Sequence, residues 1–426
     1  MSLLRSIYQP LIDSVFLISW PKLKNKYSEG YEERRGFQSA ELIEKLAGRR
    51  PLWVHGVSVG EVQALMPVIR SSRNSGYNGP IIISTTTETG KAMAFRLGEG
   101  LFDSHIYYPW DKREFVKRAI RNISPWAFAT AETELWPNML WELSDASVPA
   151  FLVNGRISDR TWKRLNGPFA KKIGASVYSL FTEIFLREKR DVERLISIGV
   201  PEVKLSLLGD TKTDALLSRK DRAAAERWKK SFEADRYKIF IAGSTHTGED
   251  EYVLRAFGIL RERFGRTKLI IAPRHPERAG EVLALARQKF SAGLLSSEDC
   301  GKDVTVVDRI GVLFDLYGIA DSAFVGGSFA DKGGQNILEP ASWGIPVQYG
   351  PHMEDFAEAS DEFIRLGIAT QVPDADSLGR VWSGITERSA GEDGERIRKA
   401  CERYFESSSG SSVRTWERIY RYYDQA

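Results

Sequence analysis

The chain has 426 residues, 42% hydrophobic and 27% charged. That is the composition of a soluble globular protein, and the length points to two or three domains rather than one core. Sixty Lys and Arg against 57 Asp and Glu leave a net charge of only +3, which argues against a dedicated nucleic-acid binder. Cys300 and Cys401 lie far apart without CxxC spacing, which speaks against a disulfide framework or zinc site and fits a reducing compartment.

The first element is the apolar stretch "LLRSIYQPLIDSVFLISWPKLKNKY", broken by Arg5, Pro10 and Asp13. It falls short of the roughly 20 apolar residues of a spanning helix and lacks a small-residue cleavage site. With Tyr8 and Trp20 inside it and Lys22, Lys24 and Lys26 after it, it suits lying on an anionic membrane face. The alternative is a helix packed on its own domain or on another subunit.

From residue 51, short β-branched runs alternate with amphipathic stretches. The expected strands are "PLWVHGV", "PIIISTTT", "SHIYYP", "WAFATAE", "PAFLVNG" and "SLFTEIFL", with helices such as Glu61–Arg70 and Asp111–Asn122 between them. Polar, helical sequence over 209–236 interrupts the pattern, which resumes with "YKIFIAGS", "TKLIIAPR", "VTVVD", "SAFVGGS" and "IPVQYG". Alternation of this kind predicts an α/β protein with two doubly wound parallel sheets, and a ligand cleft between the two halves. The charged segment after Gly391, ending "WERIYRYYDQA", reads as helical.

Several strand ends carry chemistry-bearing residues. "VSVGE" places Ser58, Gly60 and Glu61 at a strand-to-helix turn, where the carboxylate either caps the helix or acts as a base. "AETE" ends a strand with Glu132 and Glu134, which would point to opposite sides if the strand persisted that far. Asn154 and Arg156 end the next strand, and Lys212 lies in "GDTKTD". In the second half, "AGSTHTGEDE" offers Ser244, Thr245 and His246, and "APRHPER" offers Arg274 to a phosphate with help from His275 and Arg278. Gly326, Gly327 and Ser328, then Gly333 and Gly334 before Asn336, would let backbone N–H groups approach an anion, while Glu339 could accept from sugar hydroxyls. The strand ends of the first half thus carry acids and those of the second carry phosphate binders, as expected for an acceptor and a donor nucleotide. Five histidines without HxH or HExxH spacing give no metal site, and Asp374 and Asp376 read as helix-capping residues. GxxxxGK[ST] and GxSxG are both absent, which removes the best support for an ATPase or serine hydrolase.

The pieces "HGVSVGEVQA", "STTTETG", "YPWD", "ETELWPN", "VNGRIS", "AGSTHTGE", "APRHPER", "YGIADSAFVGGSF" and "GGQNILEPASWGIPVQYGPHMEDF" together resemble the 3-deoxy-D-manno-octulosonic acid (Kdo) transferases of lipopolysaccharide assembly. They cover roughly residues 1–370. The resemblance implies a GT-B glycosyltransferase with two Rossmann-like domains facing a central cleft. It implies an inverting transfer of Kdo from CMP-Kdo to the acylated glucosamine disaccharide that precedes lipid A, with no cofactor and no metal. Glu61 would be the general base, and Glu132 and Lys212 would stabilise the transition state. CMP would be held by Pro273 and Arg274, by Gly311, Val312 and Leu313, and by Asn336, Ile337, Leu338 and Glu339. Further substrate contacts would come from Ser58, Gly60, Arg156, Ser244, Gly327 and Ser328.

The implied organisation is a membrane-associating segment over 1–30, an acceptor domain over 31–210 and a crossing over 211–236. A CMP-Kdo domain over 237–390 and C-terminal helices over 391–426, returning to the first domain, would follow. The implied place is the cytoplasmic face of the bacterial inner membrane, peripheral or monotopic, with no nucleic-acid partner. Two departures stand out: Gln335 replaces the His of the family's "GGHN", and Thr213 replaces an aromatic residue after Lys212. A base must start ionised, so Glu61 is expected to keep an ordinary or modestly raised pKa. Two other readings remain. One is a UDP-sugar transferase or epimerase on the same fold. The other is a silent nucleotide sensor, against which Glu61 argues.

Overall fold

The computed structural model describes residues 3–46, 48–387 and 392–423. Met1, Gly391 and residues 424–426, which belong to the expected terminal segments, lie outside the described residues, as do the side chains of Lys22 and Lys26. By internal packing the chain forms two units, Met1–Ala215 with Ser408–Ala426, and Leu216–Ser407.

The first unit is built on seven parallel strands. They are β1 (Leu52–His55), β2 (Ile81–Thr85), β3 (Ser104–Tyr107), β4 (Ala127–Ala131), β5 (Ala150–Gly155), β6 (Glu183–Leu186) and β7 (Leu205–Leu207), in the order β3-β2-β1-β4-β5-β6-β7. The second unit holds β8 (Lys238–Thr245), β9 (Thr267–Pro273), β10 (Ala292–Leu294), β11 (Val304–Val306), β12 (Ser322–Val325), β13 (Val347–Tyr349) and β14 (Ala369–Gln371), in the order β10-β11-β9-β8-β12-β13-β14.

Both faces of each sheet are covered. Trp53, Ile82, Phe128, Leu152 and Ile184 enter one core of the first unit, and Val54, Ile83, Ala129, Phe151 and Phe185 enter the other. Burial on both sides is why these strands read as near-continuous apolar runs. The strand order reverses beside β1 in the first sheet and beside β8 in the second, and ligands of such sheets gather at the carboxyl ends of the strands there. β7, β10 and β14 were not among the expected strands; each has three residues and sits at or next to a sheet edge. β11 and β13 are as short but buried throughout and so keep an apolar run, whereas β7, β10 and β14 are partly exposed.

The last segment divides between the units. Helix Glu392–Ser408 puts Ala400, Cys401 and Phe405 into the core of the second unit, beside Ile337 and Phe363. Helix Ser411–Tyr420 puts Trp416 and Ile419 into the first. Asp214 fixes the start of that last helix, accepting the Gly410 and Ser412 N–H groups, each at 2.7 Å.

At the other end, Leu3–Lys26 is one 24-residue helix. Its inner stripe packs Phe16 and Trp20 against Trp110 and Phe115. Its outer stripe leaves Ile7, Leu11, Val15, Leu17 and Ile18 exposed, the last two by 81% and 80%. Among the described residues no helix is long and apolar enough to cross a membrane.

Candidate active site

Glu61 sits where β1 turns into helix Val59–Asn74. The turn is tight: a Cβ on Gly56 would lie 3.1 Å from the Val62 nitrogen. Ser58 is the extended N-cap residue. Three positions on, the Glu61 carboxylate reaches back, taking the Val57 N–H at 2.5 Å on Oε2 and the Ser58 hydroxyl at 3.4 Å on Oε1. The reach resembles the acidic half of a capping box but goes one residue past the N-cap, and a carboxylate is favoured there by the dipole of the helix end. Burial pushes the Glu61 pKa up, the Val57 N–H opposes this, and the negative charge of Glu132 adds to the rise. The same carboxylate thus closes the helix start and has a raised proton affinity.

β4 stops at Ala131, so strand alternation does not separate Glu132 from Glu134. The chain turns instead. Glu132 adopts a left-handed φ of 57°, its N–H donates to the Val153 carbonyl at 2.9 Å, and the Glu134 N–H returns to Ala131 at 3.2 Å. Lys212 Nζ meets Glu132 Oε1 at 2.5 Å. The ammonium also lies over the start of the Glu61 helix, because a Cβ on Gly60 would be 3.7 Å from it.

Lys212 is placed by its neighbours. Asn154, left-handed at φ 56°, accepts the Thr211 N–H at 3.0 Å, the Thr211 hydroxyl donates to the Ala64 carbonyl at 2.7 Å, and the Lys212 N–H donates to Asp210 at 2.8 Å. Ser58, Gly60, Glu61, Glu132 and Lys212 thus come together at the carboxyl end of β1 and β4. The Arg156 side chain is exposed, and its N–H donates to the Glu132 carbonyl at 3.4 Å.

Glu134, read at the strand end beside Glu132 but given no role there, belongs to the same cluster. Burial and the charge of Glu61 raise its pKa to about 7. The doubled acid of "ETE" at the end of an apolar strand was the available signal.

In the second unit, Arg274 leaves the end of β9 with its N–H on the Thr245 carbonyl at 2.9 Å and its side chain exposed. His246 and His275 meet edge to face with ring centres 6.2 Å apart. Burial lowers the His246 pKa, the Glu249 carboxylate opposes this, and His275, Arg274 and Lys332 add to the lowering. Arg274, Lys332 and the two imidazoles thus gather at this strand end, with the Glu249 carboxylate beneath His246. Arg278 is committed to Asp250 at 2.5 Å.

The glycine loop has a different occupant from the one its sequence offered. Buried Glu249 accepts the N–H groups of Gly327, Ser328 and Phe329 at 2.7, 2.9 and 2.8 Å, and that of His246 at 2.8 Å. Ser328 is fully buried, its hydroxyl donating to Val325 and accepting from the Gly350 N–H. These amides bind the protein's own carboxylate, which corrects the reading of Gly327 and Ser328 as amide donors to a substrate anion. Ser244 stands beside them at φ 58°, its carbonyl 2.5 Å from where a Cβ on Gly326 would fall. Gln335 packs on Gly327, 3.2 Å from its missing Cβ.

Asn336 accepts the Leu338 N–H at 3.0 Å, two residues on, where the short helix Leu338–Ser342 begins. Glu339, in that helix, is raised by burial and held by Arg219 at 3.2 Å. Gly311, at φ 93°, leads through Val312 into the helix Leu313–Leu316. Asp374 accepts the Ser377 N–H at 2.7 Å, and Asp376 pairs with Arg255 at 2.8 Å. Among the described residues, Asp331, His352 and Glu354 could bring ligand atoms within 4.8 Å of one another, with both acids exposed.

The family model described as 3-deoxy-D-manno-octulosonic-acid transferase (kdotransferase) matches residues 29–215. The 3-deoxy-D-manno-octulosonic acid transferase of Haemophilus influenzae is 33% identical over 388 residues, covering 88% of this chain and 87% of that protein. Its namesake from Bordetella pertussis is 31% identical over 344 residues, covering 76% and 77%. The chain belongs to the Kdo transferase family. It is an enzyme, a glycosyltransferase. Among solved structures, the UDP-N-acetylglucosamine 2-epimerase of Neisseria meningitidis aligns with a TM-score of 0.59 at 14% identity, over 88% of this chain and all of that one. A putative epimerase from Listeria monocytogenes gives 0.61 at 12%, over 89% and 98%. Such distant likeness concerns the fold, and with the two parallel sheets it gives this Kdo transferase the GT-B class of paired Rossmann-like units.

Proposed function

We propose that this Kdo transferase moves Kdo from CMP-Kdo to the acylated glucosamine disaccharide that precedes lipid A, with inversion at the anomeric carbon and without a metal. The observation that carries the reading is the meeting of Glu61, Glu132 and Lys212 at the carboxyl end of β1 and β4. Glu61 takes the proton of the acceptor hydroxyl as that oxygen attacks the anomeric carbon from the face opposite CMP. The C–O bond to phosphate breaks, and CMP leaves with the electron pair. Lys212, steered by Glu132, supplies positive charge where negative charge collects.

The second unit binds CMP. Arg274, beside His246, His275 and Lys332, faces the phosphate, and Pro273, Gly311–Leu313 and Asn336–Glu339 surround the nucleoside. A phosphate already leaves well, so a cationic patch suffices and no metal is invoked. Residues 31–210 take the acceptor, and 211–236 carries the chain from one role to the other. The exposed apolar stripe of the N-terminal helix, with basic residues after it, lies in the cytoplasmic face of the inner membrane beside the lipid-linked acceptor.

The test is one incubation of purified enzyme with CMP-Kdo and the acylated disaccharide, read by mass spectrometry. The expected product is the acceptor carrying Kdo, with CMP released. Consumption of UDP-sugars in place of CMP-Kdo would move the assignment to the epimerase-like reading.

A further inference from the structure

The inner stripe of the N-terminal helix does more than pack. Tyr8 donates its hydroxyl to buried Asp111 at 2.9 Å, and Gln9 donates to the Asn138 side-chain oxygen. Asp111 in turn accepts the backbone N–H groups of Asn138 at 3.2 Å and Met139 at 3.0 Å. The Asn138 amide donates to the Asp111 carbonyl at 2.6 Å.

These amides open helix Pro137–Asp145. Pro137 has no N–H, so Asn138 and Met139 are the first free donors of that helix, and one carboxylate takes both. The residues just before it are Glu132–Trp136, the turn that carries Glu132 and Glu134. One turn further along, Arg5 pairs with Glu142 at 2.5 Å and Asp145 at 2.8 Å, while the Tyr8 ring meets Trp141 edge to face at 5.5 Å.

We propose that the N-terminal helix is a positioning element of the catalytic edge: Tyr8 and Gln9 clamp the Asp111–Asn138 knot, and the knot fixes where the turn bearing Glu132 and Glu134 stands. The proposal rests on the reading of that turn as part of the Kdo-transfer site. A helix that served only as an anchor would need its outer apolar stripe and no buried polar bonds inward. Here Asp111 and Asn138 are fully withdrawn from water and bonded to the helix, and buried polar networks of this kind fix one arrangement because an unmade bond is costly.

Burial raises the Asp111 pKa to about 7, while the two helix amides and the Tyr8 hydroxyl lower it. The titratable groups facing Asp111 are Tyr8 from the N-terminal helix and Tyr108 after β3, and Tyr108 faces Glu134 on its other side. Lys112, which pairs with Asp13 and Glu114, and Arg113, which pairs with Glu142, follow Asp111 in the chain. Removing the Tyr8 hydroxyl takes away one stabiliser of the Asp111 charge, so the carboxyl holds its proton to higher pH and its grip on the helix amides weakens first at low pH.

The variants Tyr8→Phe and Gln9→Leu keep the packing and delete one donor each. With detergent-dispersed acceptor, so that membrane binding plays no part, Tyr8→Phe should lose about tenfold in kcat near pH 6.5 and less than about threefold near pH 8.5, with the KM for CMP-Kdo unchanged. Gln9→Leu should lower kcat without that pH dependence. Hydrogen exchange of the Asn138 and Met139 amides should quicken in both variants, and flotation on liposomes should not change. If exchange is unaltered, or if kcat per folded enzyme matches wild type at both pH values while only the melting temperature falls, the clamp is wrong. If wild type itself transfers no Kdo, the functional reading falls instead, and exchange at the two amides still decides the clamp.

Discussion

Glu61→Gln separates the two tasks of one carboxylate. The amide keeps an oxygen for the Val57 N–H that Glu61 Oε2 accepts at 2.5 Å, so the helix remains capped, but it cannot take a proton. Loss of general-base assistance costs about 10²–10⁴ in rate, or roughly 2.7–5.4 kcal/mol in the barrier. Glu61→Ala loses the same chemistry and the bond to the Val57 N–H as well, about 1 kcal/mol, which lowers the melting temperature of a unit this size by about 2–4 °C. Gln should therefore match Ala in rate and stay near wild type in melting temperature. CMP affinity, by calorimetry, should be unchanged in both, because the proposed nucleotide residues belong to the Leu216–Ser407 unit. Wild-type activity should also fall on the acid side from above the ordinary glutamate range, since burial and Glu132 raise the Glu61 pKa and the base must be ionised. Retention of transfer within about tenfold of wild type by Glu61→Gln would refute the assignment.

Three further outcomes follow from particular residues. Glu134, with a folded pKa of about 7 against roughly 4.3 unfolded, keeps a proton that the unfolded chain releases, so it contributes a loss of stability as pH rises through that window. Glu134→Gln should thus raise the melting temperature more at about pH 8 than at about pH 5, where the acid is already neutral, and an equal shift at both would contradict its burial beside Glu61. Chelator should leave turnover unchanged; activity lost with EDTA and restored by magnesium would instead bring Asp331, His352 and Glu354 into play. Replacing exposed Leu17 and Ile18 by Ser should weaken flotation on anionic liposomes while sparing transfer to a detergent-dispersed acceptor, and undiminished flotation would place the membrane contact elsewhere. Deleting residues 1–20 is the poorer experiment, because it also strips Tyr8 from Asp111 and Arg5 from Glu142.

Much of the fold was legible because an inner strand of a parallel sheet is apolar on both faces. β1, β2, β4, β5, β8 and β9, and even the three-residue β11 and β13, stand out in the sequence for that reason, whereas the edge strands β7, β10 and β14 are partly exposed and lack the apolar run. The acids and basic residues at strand ends were legible too, since alternation of strand and helix says which end of the sheet a turn belongs to. What the sequence withheld were partnerships between distant segments. Glu249 looks like an acid in the first turn of a helix, and the glycines of "VGGSF" look like an open anion nest; only the packing of one against the other shows that the nest is filled. Glu134 looks like a strand-end acid until burial and Glu61 shift it. Glu61 itself posed a choice between cap and base that no sequence pattern could resolve, because a capping box and a buried base can place the same carboxylate at the same turn. The two roles are compatible for a physical reason. The Val57 N–H that makes the residue a cap also holds its charge in a buried site, and without that donor, burial alone would push the pKa further up. The bond to Val57 lowers the cost of ionising the proposed base.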